Sequence, residues 1–99
     1  MDSLSPSDDM VSADVLVSGR VQGVWYRGFA EETALQLGLC GWVRNLPNGD
    51  VQLEIEGARH RVEDMLGRLR TGPPRAVVSD VTVTWKAPGG KHSGFKIVH

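Results

Sequence analysis

Hydrophobic and polar positions divide this chain into six regular segments and one short closing stretch. "ADVLVSG" (13–19) is short, rich in β-branched residues and closed by Gly19, which predicts a first strand. "FAEETALQLG" (29–38) sets Phe29, Thr33 and Leu37 at helical spacing, with Ala30 and Ala34 alongside and Gly38 as a stop. "CGWVRNL" (40–46) predicts a second strand, and Pro47-Asn48-Gly49 a turn. In "DVQLEIEG" (50–57), Val51, Leu53 and Ile55 alternate with Gln52, Glu54 and Glu56, the mark of a hairpin strand with one wet face. Val62, Met65, Leu66 and Leu69 then form a helical stripe, flanked by the i,i+4 pairs Arg59–Glu63 and Asp64–Arg68 and ended by "TGPP". "VSDVTVTW" (78–85) alternates again with Val81, Val83 and Trp85 inward, "APGGKHSG" is a loop, and "FKIVH" reads as a short edge strand.

The order is strand, helix, strand, strand, helix, strand. It predicts an α+β domain of the ferredoxin-like split βαβ kind (βαββαβ), an antiparallel sheet with both helices on one face. That architecture hosts many functions, so chemistry has to be read from a site.

Composition narrows the class. Ninety-nine residues suffice for one domain, expected over 13–99 behind an acidic, disordered tail at 1–12. Four of the twelve acids precede the first basic residue, Arg20; the eight that remain face eleven Lys and Arg. A balance of about +3 attracts anions mildly and falls short of a nucleic-acid stripe. With one cysteine, Cys40, no internal disulfide can form. No apolar run approaches the ~20 residues of a membrane span. A cytoplasmic monomer without membrane or nucleic-acid partners is expected.

One stretch breaks a local rule. "GRVQGVWYR" (19–27) ends in an arginine where a helix begins, and a cation at that end of the macrodipole costs roughly 0.3–1 kcal/mol. The plain reading is a glycine turn between strand and helix, with Trp25 and Tyr26 covering an edge of the core. The functional reading is a nest of backbone N–H groups beside Arg27, whose charge an anion between them would reconcile. A phosphate fits, because it accepts both the N–H groups and the guanidinium fork. Asn45 is the second oddity, since asparagine is depleted in strands. It either belongs to the turn before Pro47 or offers its amide to orient a water.

Other candidates fall away. His60, His92 and His99 are scattered, so no metal triad is expected. Cys40 lacks the arginine six positions on that a cysteine-phosphatase loop needs, Leu46 standing there instead. Glu31 and Glu32 fit the first turn of the first helix, where acids belong.

Two spaced signatures resemble the acylphosphatase family. "VSGRVQGVWYR" (17–27) is similar to that family's phosphate-loop segment and its arginine; "GWVRNLPNGDVQLEIEG" (41–57) is similar to its second signature. The resemblance runs from about Val11 to the C-terminus, with one departure: Tyr26 stands where phenylalanine is common, placing a hydroxyl at the pocket edge. The resemblance implies hydrolysis of the carboxyl–phosphate bond of small acylphosphates, without metal, cofactor or phosphoenzyme. It implies that Arg27 binds phosphoryl oxygens, that Asn45 positions the attacking water, and that backbone N–H groups of Val21, Gln22, Gly23 and Val24 complete the cradle. The alternative is a module that binds an acyl- or carbamoyl-phosphate without processing it. RNA binding on the open sheet is disfavoured by outward Gln52, Glu54, Glu56, Asp80, Thr82 and Thr84, which offer no stacking aromatic.

Overall fold

The computed structural model describes residues 9–99. Seven elements follow in order: β1 (Met10–Arg20), α1 (Tyr26–Gln36), β2 (Cys40–Asn45), β3 (Val51–Ala58), α2 (Arg59–Thr71), β4 (Val77–Lys86) and β5 (Phe95–Ile97). The strands make one sheet in the order β4-β1-β3-β2-β5. The core lies between that sheet and the two helices: Ala13, Val15 and Val17 of β1, and Val51, Leu53 and Ile55 of β3, are nearly or wholly sealed. Val62, Met65, Leu66 and Leu69 of α2 close over them, so the period-2 and period-3.6 stripes meet as expected.

Four expectations need correction. β1 begins at Met10, three residues before Ala13, because Val11 and Ser12 pair with Gly57 and Glu56 and are buried there. The tail expected over 1–12 therefore yields its last three residues to the sheet, and residues 1–8 lie outside the described residues. The sheet is mixed: β5 runs parallel to β2, through Gly41↔Phe95, Trp42↔Lys96 and Val43↔Ile97. β4 and β3 each run opposite to β1, and β2 opposite to β3. A chain that turns back once after β4 and crosses to the far edge must then travel in the direction of β2.

Trp85 lies on the helix-side register but is 40% exposed, because it stands at the end of an edge strand. The Arg59 guanidinium covers its ring at 4.7 Å. The open face is less bare than expected. Trp42 stands opposite Glu54 there, donates its indole N–H to that carboxylate at 3.0 Å, and carries Arg44 over its ring at 5.3 Å.

The 87–94 connection closes down on that open face. Glu56, only 7% exposed, accepts the backbone N–H groups of Gly89 and Gly90 at 3.0 and 2.9 Å. Glu54 binds Lys86 and His92, and Lys86 also reaches Asp14 at 3.0 Å. The Lys86 ammonium beside it holds the Glu54 carboxyl below its usual range, and the carboxylates hold Lys86 above its own.

Candidate active site

β1 and α1 are joined by five residues, 21–25. Gly19, at φ 122°, starts the turn where a Cβ would stand 2.1 Å from the Val77 carbonyl oxygen, so only glycine lets β1 lie this close to β4. Trp25 precedes the helix with φ 67° and ψ 24°, left-handed backbone that a bulky residue rarely adopts. Among the described residues, no N–H group from Val21 to Gly28 has a hydrogen-bond acceptor in the protein. The next N–H, that of Phe29, donates to the Trp25 carbonyl at 3.0 Å and starts the helical ladder. The bare run therefore spans the whole turn and the first turn of α1.

Tyr26 rather than Phe29 opens α1, so Arg27 is the second helical residue and Glu31 and Glu32 fall in the second turn. The first turn holds no acid at all. This corrects their expected placing and leaves Arg27 uncompensated where the dipole is most positive. Its side-chain partner among the described residues is the imidazole of His99, with 3.2 Å between Nη1 and Nδ1. The helix repeats this economy at its own stripe. Small Ala30 and Ala34 let it settle on the sheet, and Thr33 returns its hydroxyl to the Phe29 carbonyl at 2.8 Å.

Tyr26 itself is 1% exposed and donates its hydroxyl to the Leu69 carbonyl at 2.7 Å. That carbonyl lies in the last turn of α2, where no helical N–H is left to reach it. The hydroxyl expected at the pocket edge is thus buried between the helices, and burial pushes its pKa well up.

Asn45 is the last residue of β2 and pairs with Val51. Its amide oxygen is buried and has no hydrogen-bond partner among the described residues. Leaving a buried acceptor unpaired costs roughly 1–3 kcal/mol, so the position is set for something other than the strand's own stability.

Gln22 joins the two halves. Its amide donates to the carbonyls of Leu46 and Asp50, each at 2.8 Å. These two residues close the β2–β3 turn, with the Leu46 N–H on the Asp50 carbonyl at 2.8 Å and the Asn48 side chain accepting the Asp50 N–H at 3.0 Å. One side chain therefore fixes the loop that ends at Arg27 against the hairpin that carries Asn45.

Arg27 and Asn45 share a cavity of about 350 Å³, with Val21 and Gly23 from the loop and Ile97 and His99 from the chain end at its wall. Of the four loop residues expected to form a cradle, Val21 and Gly23 border this cavity. Gln22 turns its side chain to the hairpin, and Val24 borders an adjoining cleft. Sequence reasoning missed Trp25, Ile97 and His99 here. No spacing marks His99, since 72 residues separate it from Arg27. A roomier groove of about 600 Å³ runs between α1 and α2 past Glu32, Glu63, Asp64 and Arg68. It contains neither the bare N–H run nor the orphaned amide, and size alone does not make it the site. No cluster of three or more potential metal ligands occurs among the described residues.

A split βαβ sheet with a bare strand-to-helix turn beside an arginine that has no acidic partner among the described residues describes a small anion-handling domain. Comparison with known proteins specifies it. The acylphosphatase family profile matches residues 13–97. An acylphosphatase from Nostoc sp. is 48% identical over 97 residues, covering 98% of this chain and 95% of that one. The crystal structure of acylphosphatase from Bacillus subtilis superposes with a TM-score of 0.88 at 32% identity, over 90% of this chain and 99% of that one. An acylphosphatase from Coxiella burnetii gives 0.86 at 37% identity, over 91% and 94%. The chain belongs to the acylphosphatase family, and its activity is the hydrolysis of acylphosphates.

Proposed function

We propose that this enzyme hydrolyses the carboxyl–phosphate bond of small acylphosphates without a metal, using the 21–28 backbone, Arg27 and Asn45. The observation that carries the reading is the meeting, at one cavity, of six residues of the unclaimed N–H run, an arginine without an acidic partner and an amide oxygen without a donor among the described residues. The phosphoryl oxygens take the N–H groups and the guanidinium fork, which removes the electrostatic conflict at the start of α1. A water then donates one O–H to the Asn45 amide oxygen, which frees its lone pair to face phosphorus.

Attack forms the new O–P bond as the bond from phosphorus to the carboxyl oxygen breaks. The leaving group is a carboxylate, stable without protonation, and the water's second proton passes to a phosphoryl oxygen. Phosphoryl transfer of this kind needs positioning and charge stabilisation more than acid–base chemistry.

The deciding test is hydrolysis of benzoyl phosphate in EDTA by the native chain and by Arg27→Ala. Fast native turnover that the variant loses supports the reading. A folded native chain that binds inorganic phosphate yet turns nothing over makes the domain a binding module and sinks it.

A further inference from the structure

His99 reaches the site from the edge of the sheet, and the fold holds it there. β5 pairs in parallel with β2 through Val43↔Ile97, and the next residue, Val98, donates its N–H to the Val43 carbonyl at 2.9 Å. Asn45 stands two residues beyond Val43 on the same strand. One strand therefore positions both the orphaned amide and the backbone that delivers His99. The imidazole meets the start of α1, where its Nδ1 stands 3.2 Å from Nη1 of Arg27, and both residues line the cavity of about 350 Å³.

That contact has a definite polarity. A guanidinium only donates, so the bond requires a neutral ring with its proton on Nε2. Once Nδ1 takes a proton the bond is lost, and two cationic donors face one another. An oxyanion between them accepts from both. His99 is exposed, so this change needs no rearrangement of the core. Among the described residues, Arg27 is the one other charged side chain at the cavity wall. Tyr26, the remaining titratable group there, gives its hydroxyl to the Leu69 carbonyl. Glu31 of α1, Arg44 of β2 and Lys96 of β5 belong to the same elements and do not border the cavity.

We propose that His99 is a second anion ligand of this cavity. Its neutral ring holds the Arg27 guanidinium while the site is empty, and its protonated ring donates to the bound phosphoryl group. This rests on the phosphate-binding part of the reading above and adds a group that matches the site to a dianion. Proton and anion then bind cooperatively, because the anion relieves the repulsion between the two cations. An imidazole changes charge between about pH 5 and pH 8, so affinity for dianions rises on acidification across that window.

The test is calorimetric binding of sulfate, which stays a dianion throughout that window and is not hydrolysed. From about pH 8 down to about pH 5.5 the native chain gains roughly 5- to 10-fold in affinity, the worth of one hydrogen bond to a charged group near solvent. His99→Gln keeps an acceptor for the guanidinium but has no charge to acquire, so its affinity at the upper pH stays near native and the gain is lost. His92→Gln, altered on the open face where His92 meets Glu54, keeps the gain. The same gain in the native chain and His99→Gln overturns the proposal, whatever their absolute affinities. A native chain that hydrolyses benzoyl phosphate yet shows no gain also overturns it, and leaves the hydrolytic reading standing. A gain that His99→Gln abolishes, in a native chain without turnover, keeps the ligand and sinks hydrolysis alone.

Discussion

Two glycine-rich loops, 19–25 and 87–94, sit at different ends of the fold and treat their backbone N–H groups in opposite ways. In the second, the Glu56 carboxylate accepts Gly89 and Gly90, so the chain supplies its own anion and the loop is fastened to the sheet. In the first, the described residues supply no acceptor, no acid occupies the first turn of α1, and an arginine is added. A filled nest stabilises a fold; an empty one beside a cation keeps that interaction energy for a ligand. The contrast teaches that a glycine loop becomes a site by what its surroundings withhold.

The contrast can be broken most severely at the empty nest. Arg27→Ala and Asn45→Ala are each expected to lower kcat/KM for benzoyl phosphate by about 10²–10³-fold, the usual cost of one fixed donor or orienting group. Arg27→Lys fails comparably, because an ammonium cannot reproduce the planar fork. Steady-state kinetics at a few-fold of native in either Ala variant removes the mechanism. Next is the clip: Gln22→Ala is expected to lose on the order of 10-fold in kcat/KM, less than the ~10² that a 1 Å misplacement costs. Unchanged kinetics would show that the loop and hairpin hold their positions without it.

Altering the filled nest sharpens the comparison from the other side. Glu56→Gln leaves one acceptor oxygen for Gly89 or Gly90 and turns an amide NH2 toward the other N–H, so denaturant unfolding should show a loss of about 1–3 kcal/mol with turnover kept. Inorganic phosphate should raise the melting temperature of the native chain and of this variant alike, and should not do so for Arg27→Ala. Phosphate stabilisation that survives in Arg27→Ala would place the anion elsewhere. The smallest effect belongs to Tyr26→Phe, about 1 kcal/mol of stability with activity retained. Tyr26 is the chain's one tyrosine, and its folded pKa is raised above the ordinary 10.0. Its contribution is complete below pH ~10 and declines above that, as the unfolded chain ionises first. Unfolding free energies measured from pH 9 to 11 should therefore fall more steeply for the native chain than for Tyr26→Phe.

Much of the fold was legible because it depends on periodicity. The β3 alternation and the α2 stripe are local patterns, and burial followed them at the apolar positions; Glu56 of the wet face departs because it accepts the Gly89 and Gly90 N–H groups of the 87–94 connection and is buried. The parallel course of β5 was not legible, since three residues of edge strand carry no directional signal and topology decides. Arg27 stood out because its conflict with the helix dipole is local. Asn45 stood out as a poor strand former, but its orphaned oxygen is a tertiary fact. Tyr26 was misread for a related reason: sequence shows a hydroxyl, and only packing shows that it belongs to the end of α2. Trp25 and His99 gave no signal, because exposure and a contact across 72 positions exist only in three dimensions.

The Gln22 clip has a consequence for the order in which this chain acquires activity. Its two acceptors lie 24 and 28 residues downstream, on a turn that must already be closed for both carbonyls to stand together. Loop closure over that distance follows hairpin formation, whose natural time is microseconds. Catalytic competence is thus a late event in refolding, arriving when two independently ordered pieces dock. Stopped-flow refolding should show strand-pair amides of β2 and β3 protected from exchange before turnover returns, and the reverse order would contradict it.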